Sequence, residues 1–435
     1  MSKYTVRHYI QPVTCSGIAF SVDSPREETL DFYDTEFLPF RAWAFSSDGE
    51  PLLFTFSFDP DNSLPPNTER PDVNALYGEA NILCGLSTLI PFQTSFDIGV
   101  IKQGVIIWLA NIDLTHIQVL EGNSGYLFLD NDDNESVDQY SGKRKISDED
   151  LVAWSEYFQD VNTRPDSHIS KFAFCIAPAK EYVFPELYPV FNSRTTPYDQ
   201  FKERFSSVTT ILDPIKALFQ HRHLTYSKND THWTDFGAFI TAQLICAKLN
   251  IPYNPPNLVY EPRVTTGDLG IKYNPQKLEY SFFADFTKSG MARFDNTIPV
   301  RGNIISLNNP KAILKSTCLI FGSSSSESVA IQLSGVFTRV VRVFSGADID
   351  LEIVEHEKPS HIIALLASRF LVRAPTVNFS IQSEIHRKLE CMTPEEIQET
   401  IIQSTRSISN GLDDLYQSML ESQPLELLNN QGLIQ

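Results

Sequence analysis

The sequence predicts two architectures in tandem. An N-terminal β-sandwich domain spans residues 1–115. An α/β domain, a parallel sheet with flanking helices, spans 116–390, and a C-terminal helical extension covers 391–435. Three observations predict this. Period-two hydrophobic alternation marks the first hundred residues. Helical periodicity enters abruptly near residue 120. From residue 316 strands and helices alternate, which is the pattern of a parallel sheet.

At 435 residues the chain exceeds one usual domain. In "PLLFTFSF", Leu52, Phe54, Phe56 and Phe58 share one face of a half-buried strand. "VIKQGVIIWLANIDL" predicts two strands around a tight turn at Gly104, and clusters such as "SSDGEP" separate further strands. Ser147 and Asp150 then form a capping-box pattern, with Leu151, Trp154, Phe158 and Val161 at helical spacing. "KFAFCIAP" (171–178) reads as a strand, 198–220 as helix-prone and 235–249 as a helix, followed by the irregular "IPYNPPN". Beyond 316, "STCLIFG", "RVVRVFS" and "HIIALLAS" read as strands, with helices at "VAIQLSGVF" and "DIDLEIVEHEKP". Ligands of such sheets bind beyond the carboxyl ends of the strands, where the loop 322–328 lies. In the tail, Thr393, Pro394 and Glu396 suit a helix start. Ile401, Thr405, Ile408, Leu412, Leu415 and Met419 follow at heptad-like spacing, so the helix packs on its own domain or on a partner helix.

Composition excludes several functions. Hydrophobic residues make up 42 %, enough for real cores, and the formal net charge is −19. Such a chain is no general binder of nucleic acid or anionic membranes, which need clustered Lys and Arg. An anionic polysaccharide would likewise need a local basic pocket. The six cysteines (Cys15, Cys84, Cys175, Cys246, Cys318 and Cys391) form no CxxC pair. Cys175, Cys246 and Cys318 sit in apolar runs, as buried free thiols of a reducing compartment do. The N-terminus lacks the apolar region of a signal peptide, and no run reaches the roughly 18 apolar residues of a spanning helix. The expectation is a soluble, cytoplasmic protein with no membrane span.

"NDTHWTDFGAF" (229–239) carries the most chemistry, setting Asp230 two residues before His232. Three readings are open. Asp230 and His232 can be a loop acid and a satisfied core histidine. With His221 and His223 of "HRH" the imidazole can be a metal ligand, although no third cluster has metal-ligand spacing. Or the pair supplies the base of a nucleophilic site and the group that fixes its tautomer. The last reading needs a nucleophile on a tight turn after a buried strand, where backbone amides stabilise an oxyanion. "CLIFGSSSSES" has that form, with Gly322 at the turn and serines 323–326 leading into a helix.

Ordered matches from about 120 to 372 ("GYLFLDND", "IAPAKEYVFPELYP", "DTHWTDFGAF", "FGSSSSES", "RVVRVFS", "ASRFLV") give a resemblance. The chain resembles the alginate O-acetyltransferase group of SGNH-hydrolase-like proteins. Asp230, His232 and Trp233 match the family's Asp-x-His-Trp motif. Gly322, Ser324 and Ser326 match its Gly-x-Ser-x-Ser motif, which implies Ser324 as nucleophile. Ser323, Ser325 and Ser368 depart from the family's usual residues. The resemblance implies further substrate-binding or oxyanion candidates: Ser325, Lys180, Arg369, Tyr126 and Trp233. Lys180 can alternatively be a structural cation, and Tyr126 and Trp233 packing aromatics. "VDSP…FRAWAFSSDGEP…ERPDVNALYGE" resembles a β-sandwich module appended to glycan-modifying enzymes, whose role is carbohydrate binding or docking.

The resulting expectation is an O-acetyltransferase that moves an acetyl group onto a polysaccharide or oligosaccharide hydroxyl. It needs no metal and no cofactor beyond an acetyl donor, such as acetyl-CoA, as co-substrate. The alternatives are a carbohydrate acetyl esterase and a glycan-binding protein with a degenerate site.

Overall fold

The computed structural model describes residues 2–12, 17–32, 37–78, 82–163, 171–208, 210–285, 289–405 and 411–420. Cys15, Ile408 and the stretch 421–435 lie outside the described residues. The chain divides into two compact units, one of Met1–Val119 with Asp268–Lys277, the other of Leu120–Gly267 with Leu278–Gln435.

The first unit is built from two antiparallel sheets. Six strands run in the order Thr29–Phe32, Ser2–Ile10, Val105–His116, Ser95–Lys102, Leu53–Phe56, Asp59–Leu64. Four more run Ile18–Ser24, Phe37–Ser46, Leu83–Pro91, Thr68–Glu69. Alternation sends Leu38, Phe40 and Ala42 of one sheet and Phe54, Phe56, Ile98 and Val100 of the other into one core. Phe40 meets Phe56 edge-on, with ring centroids 5.1 Å apart. The hairpin at Gly104 turns on two residues of positive φ, Gln103 and Gly104, the conformation that matches strand twist. The strand of "PLLFTFSF" ends at Phe56, so the alternation overran it by two residues. The return of Asp268–Lys277 to this unit carries no periodic signal. It is held by backbone and hydroxyl bonds between Asn274 and Thr29 at 2.7 and 2.8 Å.

The second unit carries a seven-stranded sheet in the order Ile211–Leu212, Phe172–Ala177, His361–Ala367, Leu314–Gly322, Phe337–Phe344, Ile304–Asn308, Ala292–Asp295. The first five are mutually parallel, Ile304–Asn308 runs antiparallel to them, and Ala292–Asp295 pairs antiparallel with Ile304–Asn308. The expected parallel sheet is therefore corrected to a mixed one. "ARFD" and "IISLN" are joined by a short connection, which only antiparallel neighbours permit. The helix-prone stretch 198–220 is also interrupted. It forms helices Pro197–Phe205 and Ile215–Gln220 around the edge strand Ile211–Leu212.

Cores cover both faces of this sheet. Trp154, Phe158, Phe174 and Phe321 pack on one side, and Trp233, Ile245, Cys318 and Ile320 on the other. Strands buried on both faces read as continuous apolar runs, which is why they were legible. Helix Pro394–Thr405 starts with the Thr393–Glu396 capping box, and Ile397, Tyr416 and Met419 enter the first of these cores. Buried Arg339 grips Glu357 with two bonds of 2.7 Å and Asp413 with one of 2.9 Å, tying the described tail to the sheet. The described heptad positions Ile401, Leu415 and Met419 thus find partners within their own unit, while Leu412 is 53 % exposed. No helix among the described residues is long and apolar enough to cross a membrane.

Candidate functional site

The Asp230–His232 segment is a loop pinched at its base. Tyr226 and Trp233 form an isolated bridge, Thr234 N–H donates to the Thr225 carbonyl at 2.9 Å, and the Thr234 hydroxyl caps helix Asp235–Lys248. Lys180 holds the loop from within. Its buried ammonium donates to the carbonyls of Ser227 (3.0 Å), Lys228 (2.9 Å) and Asp230 (2.7 Å). Three protons on one charged head match three carbonyls, a geometry no other side chain supplies. On the other side the Glu279 carboxylate accepts the amides of Lys228 and Asn229 at 3.0 and 2.9 Å.

Within this loop Asp230 Oδ1 accepts both the His232 amide (2.8 Å) and His232 Nδ1–H (2.7 Å). A carboxylate only accepts, so the proton sits on Nδ1 and Nε2 faces the Ser324 hydroxyl, 2.7 Å away, as an acceptor.

Ser324 lies just beyond strand Leu314–Gly322, ahead of helix Ser326–Leu333. The expectation that Gly322 supplies turn freedom is corrected, because its φ is not positive. A Cβ there would lie 2.5 Å from Ser326 Cβ, so glycine is needed for space. Ser326 Oγ donates to the Ser323 carbonyl (2.5 Å) and accepts from Arg342 Nε (2.9 Å). Arg342 is buried, which pulls its pKa down to about 10, and it also donates to Asn303 Oδ1 at 2.7 Å. Ser323 is buried, and among the described residues its hydroxyl has no partner. Among the described residues the Ser324 and Ser325 amides donate to no backbone carbonyl.

The structure divides the remaining candidates. Trp233 is buried, and its Nε1–H donates to the Ser325 carbonyl (3.1 Å) and Ser328 Oγ (3.0 Å), clamping the two loops together. Ser325 lines the cleft beside Ser324. Lys180 is buried as a loop anchor. Arg369 does not line this cleft. It stacks on Phe370 and faces Asp132 at 3.5 Å. Tyr126 lines a neighbouring cavity. His221 and His223 sit at a helix junction, and His221 packs edge-on against Phe236. Sequence reasoning missed Arg293 and Glu327, paired at 2.9 Å in the cleft wall, and Arg263 and Asp235 opposite. Only Glu327, in the first turn after the serines, had a local signal.

The cleft around Ser324 has a volume of about 380 Å³. A larger cavity of about 1010 Å³ on the first unit is lined by Asp23, Arg26, Arg41 and Arg70, and its described lining holds no histidine or cysteine. Behind the loop, burial pushes the Glu181 carboxyl up to about 7, against the opposing pull of Arg369 and Lys180. The folded state thus binds this proton more tightly than the unfolded chain, whose value is 4.5. Its stabilisation is complete below that value and is lost as pH rises through about 7, by ~3 kcal/mol. Glu181→Gln should flatten this loss in denaturant melts between pH 4.5 and 8. An unaltered pH slope refutes the assignment.

No family model and no curated protein matches this chain. Solved structures do. Bacillus cereus PatB1 aligns over 60 % of this chain and 98 % of its own, at 11 % identity and a TM-score of 0.41. A DHHW family protein from Eubacterium siraeum aligns over 64 % and 92 %, at 11 % identity and 0.41. The O-acetyltransferase domain of Pseudomonas putida AlgJ aligns over 62 % and 99 %, at 16 % identity and 0.37. Among solved structures, then, the chain is similar to PatB1, to a DHHW family protein and to the O-acetyltransferase domain of AlgJ.

Proposed function

We propose that this protein is a serine-dependent O-acyltransferase that moves an acetyl group from a donor onto a glycan hydroxyl. The observation that carries the reading is the hydrogen-bonded chain Asp230–His232–Ser324, with 2.7 Å at each link between side chains. Ser324 Oγ attacks the donor carbonyl carbon while its proton passes to His232 Nε2. Asp230 stabilises the imidazolium, and the oxyanion faces the Ser324 and Ser325 amides. Collapse expels the donor's leaving group, which takes the proton from His232. The acceptor hydroxyl then loses its proton to His232 and attacks the acyl carbon. Ser324 Oγ departs and recovers that proton. Water in place of the sugar turns the same steps into ester hydrolysis, so acceptor binding decides between the two.

The test incubates the full chain with p-nitrophenyl acetate, with and without oligosaccharides. The Ser324 peptide should carry acetyl, and the sugar should become acetylated. Acetyl-Ser324 that yields only acetate favours an esterase. No acetyl on Ser324 refutes the mechanism.

A further inference from the structure

The hairpin Val259–Thr265/Glu279–Asp285 lies in the sequence between the Asp-His loop and the nucleophile strand. Its register pairs Pro262 with Phe282 and Val264 with Tyr280, so these aromatics share a face with Tyr260. Tyr280 is 81 % exposed and Phe282 63 %. Large neighbouring aromatics left in water mark a binding surface better than a core.

That face borders a cavity of about 590 Å³, walled by Tyr126, Phe236, Phe239, Tyr260, Tyr280 and Phe282. Ser227, Thr234, Asp235, Ser281 and Phe282 line both this cavity and the cleft of Ser324, so the two adjoin along a shared wall as a hollow of two chambers. A two-carbon acetyl group cannot require such a volume beside the nucleophile, so a larger group belongs there. Charge narrows its class. Asp230, Asp235, Glu279 and Glu327 line the hollow against Lys228, Arg263 and Arg293. Arg293 is held by Asp295 and Glu327, and Lys228 by the Ser124 carbonyl and the Tyr126 ring. The lining thus carries one more acid than base, so uronates and phosphates gain no net attraction there. Asp235 bonds the Ala284 amide through one oxygen, and among the described residues the other is unpartnered. A carboxylate acceptor between aromatic faces suits hydroxyls on a ring with apolar faces.

Resting on the acyl-transfer reading, we infer that this hollow is the acceptor site and that the acceptor is an uncharged pyranose glycan stacked on Tyr280 and Phe282. The aromatic face positions the sugar, and the shared rim at Asp235 and Ser281 leads its hydroxyl toward His232.

The full chain is titrated calorimetrically with cellohexaose, chitohexaose and a hexauronate. At least one neutral hexasaccharide should bind, with the hexauronate tenfold weaker or worse. Tyr280→Ala and Phe282→Ala should each weaken binding about tenfold. Both side chains are exposed, so the fold should survive, as thermal melts will verify. Phe191→Ala, which removes an aromatic that is 93 % exposed elsewhere on the same unit, should leave affinity unchanged. Absent binding of both neutral sugars, indifference to both hairpin substitutions, or preference for the hexauronate overturns the inference. Acetylation of Ser324 needs no acceptor and separates the failures. Acetyl-Ser324 without hexasaccharide binding sinks the acceptor site alone, and binding without acetyl-Ser324 sinks the acyl-transfer reading alone.

Discussion

Ser324→Ala should lower acyl transfer at least about 10³-fold while leaving the fold intact. The lost oxygen faces His232 Nε2 at 2.7 Å, and the substitution adds no bulk. The neighbouring serines supply the control. Ser323 Oγ is buried with no partner among the described residues, so Ser323→Ala should cost neither activity nor stability. Ser325 offers the site its backbone amide, which Ser325→Ala retains. Single-turnover kinetics on the three variants decide the register of this four-serine loop. Substantial activity in Ser324→Ala, with loss in either neighbour, would refute the assignment.

Asp230→Asn is expected to cost about 10²–10⁴ in kcat with little change in KM. One oxygen of Asp230 takes both the His232 amide and Nδ1–H. Asparagine can keep an oxygen in that place, and the loop keeps its shape because Lys180 binds the backbone carbonyl of residue 230. What disappears is the negative charge that stabilises the imidazolium formed during transfer. Asp230→Ala removes the loop bond as well, so it should lose stability in addition to rate. Equal kcat in wild type and Asp230→Asn would show that the imidazole acts without a charged partner.

Legibility followed burial. The strands at 172–177, 314–322, 337–344 and 361–367 were readable because both their faces are covered, leaving apolar runs bounded by polar loops. The antiparallel strand Ala292–Asp295 and the hairpin strands 259–265 and 279–285 were not. They are short or exposed, and their alternation carries aromatic residues on a solvent-facing side. Local chemistry was readable where one segment holds both partners, as in Asp230 with His232 and Thr393 with Glu396.

By itself the sequence determined which reactive residue types stand at which local spacing. It put an acid two positions before an imidazole, a run of serines after a buried strand, and a charge balance hostile to polyanions. Those properties reside in residue type and short spacing, which local periodicity and chemistry express directly. Only the tertiary structure decided which serine meets His232, what Lys180 holds, that Arg369 lies off the cleft, and that exposed aromatics of a hairpin line a cavity beside it. These are contacts across tens to hundreds of residues, Ser324 standing 92 positions from His232. Such contacts depend on how strands order in a sheet and where loops close, and no local pattern encodes them.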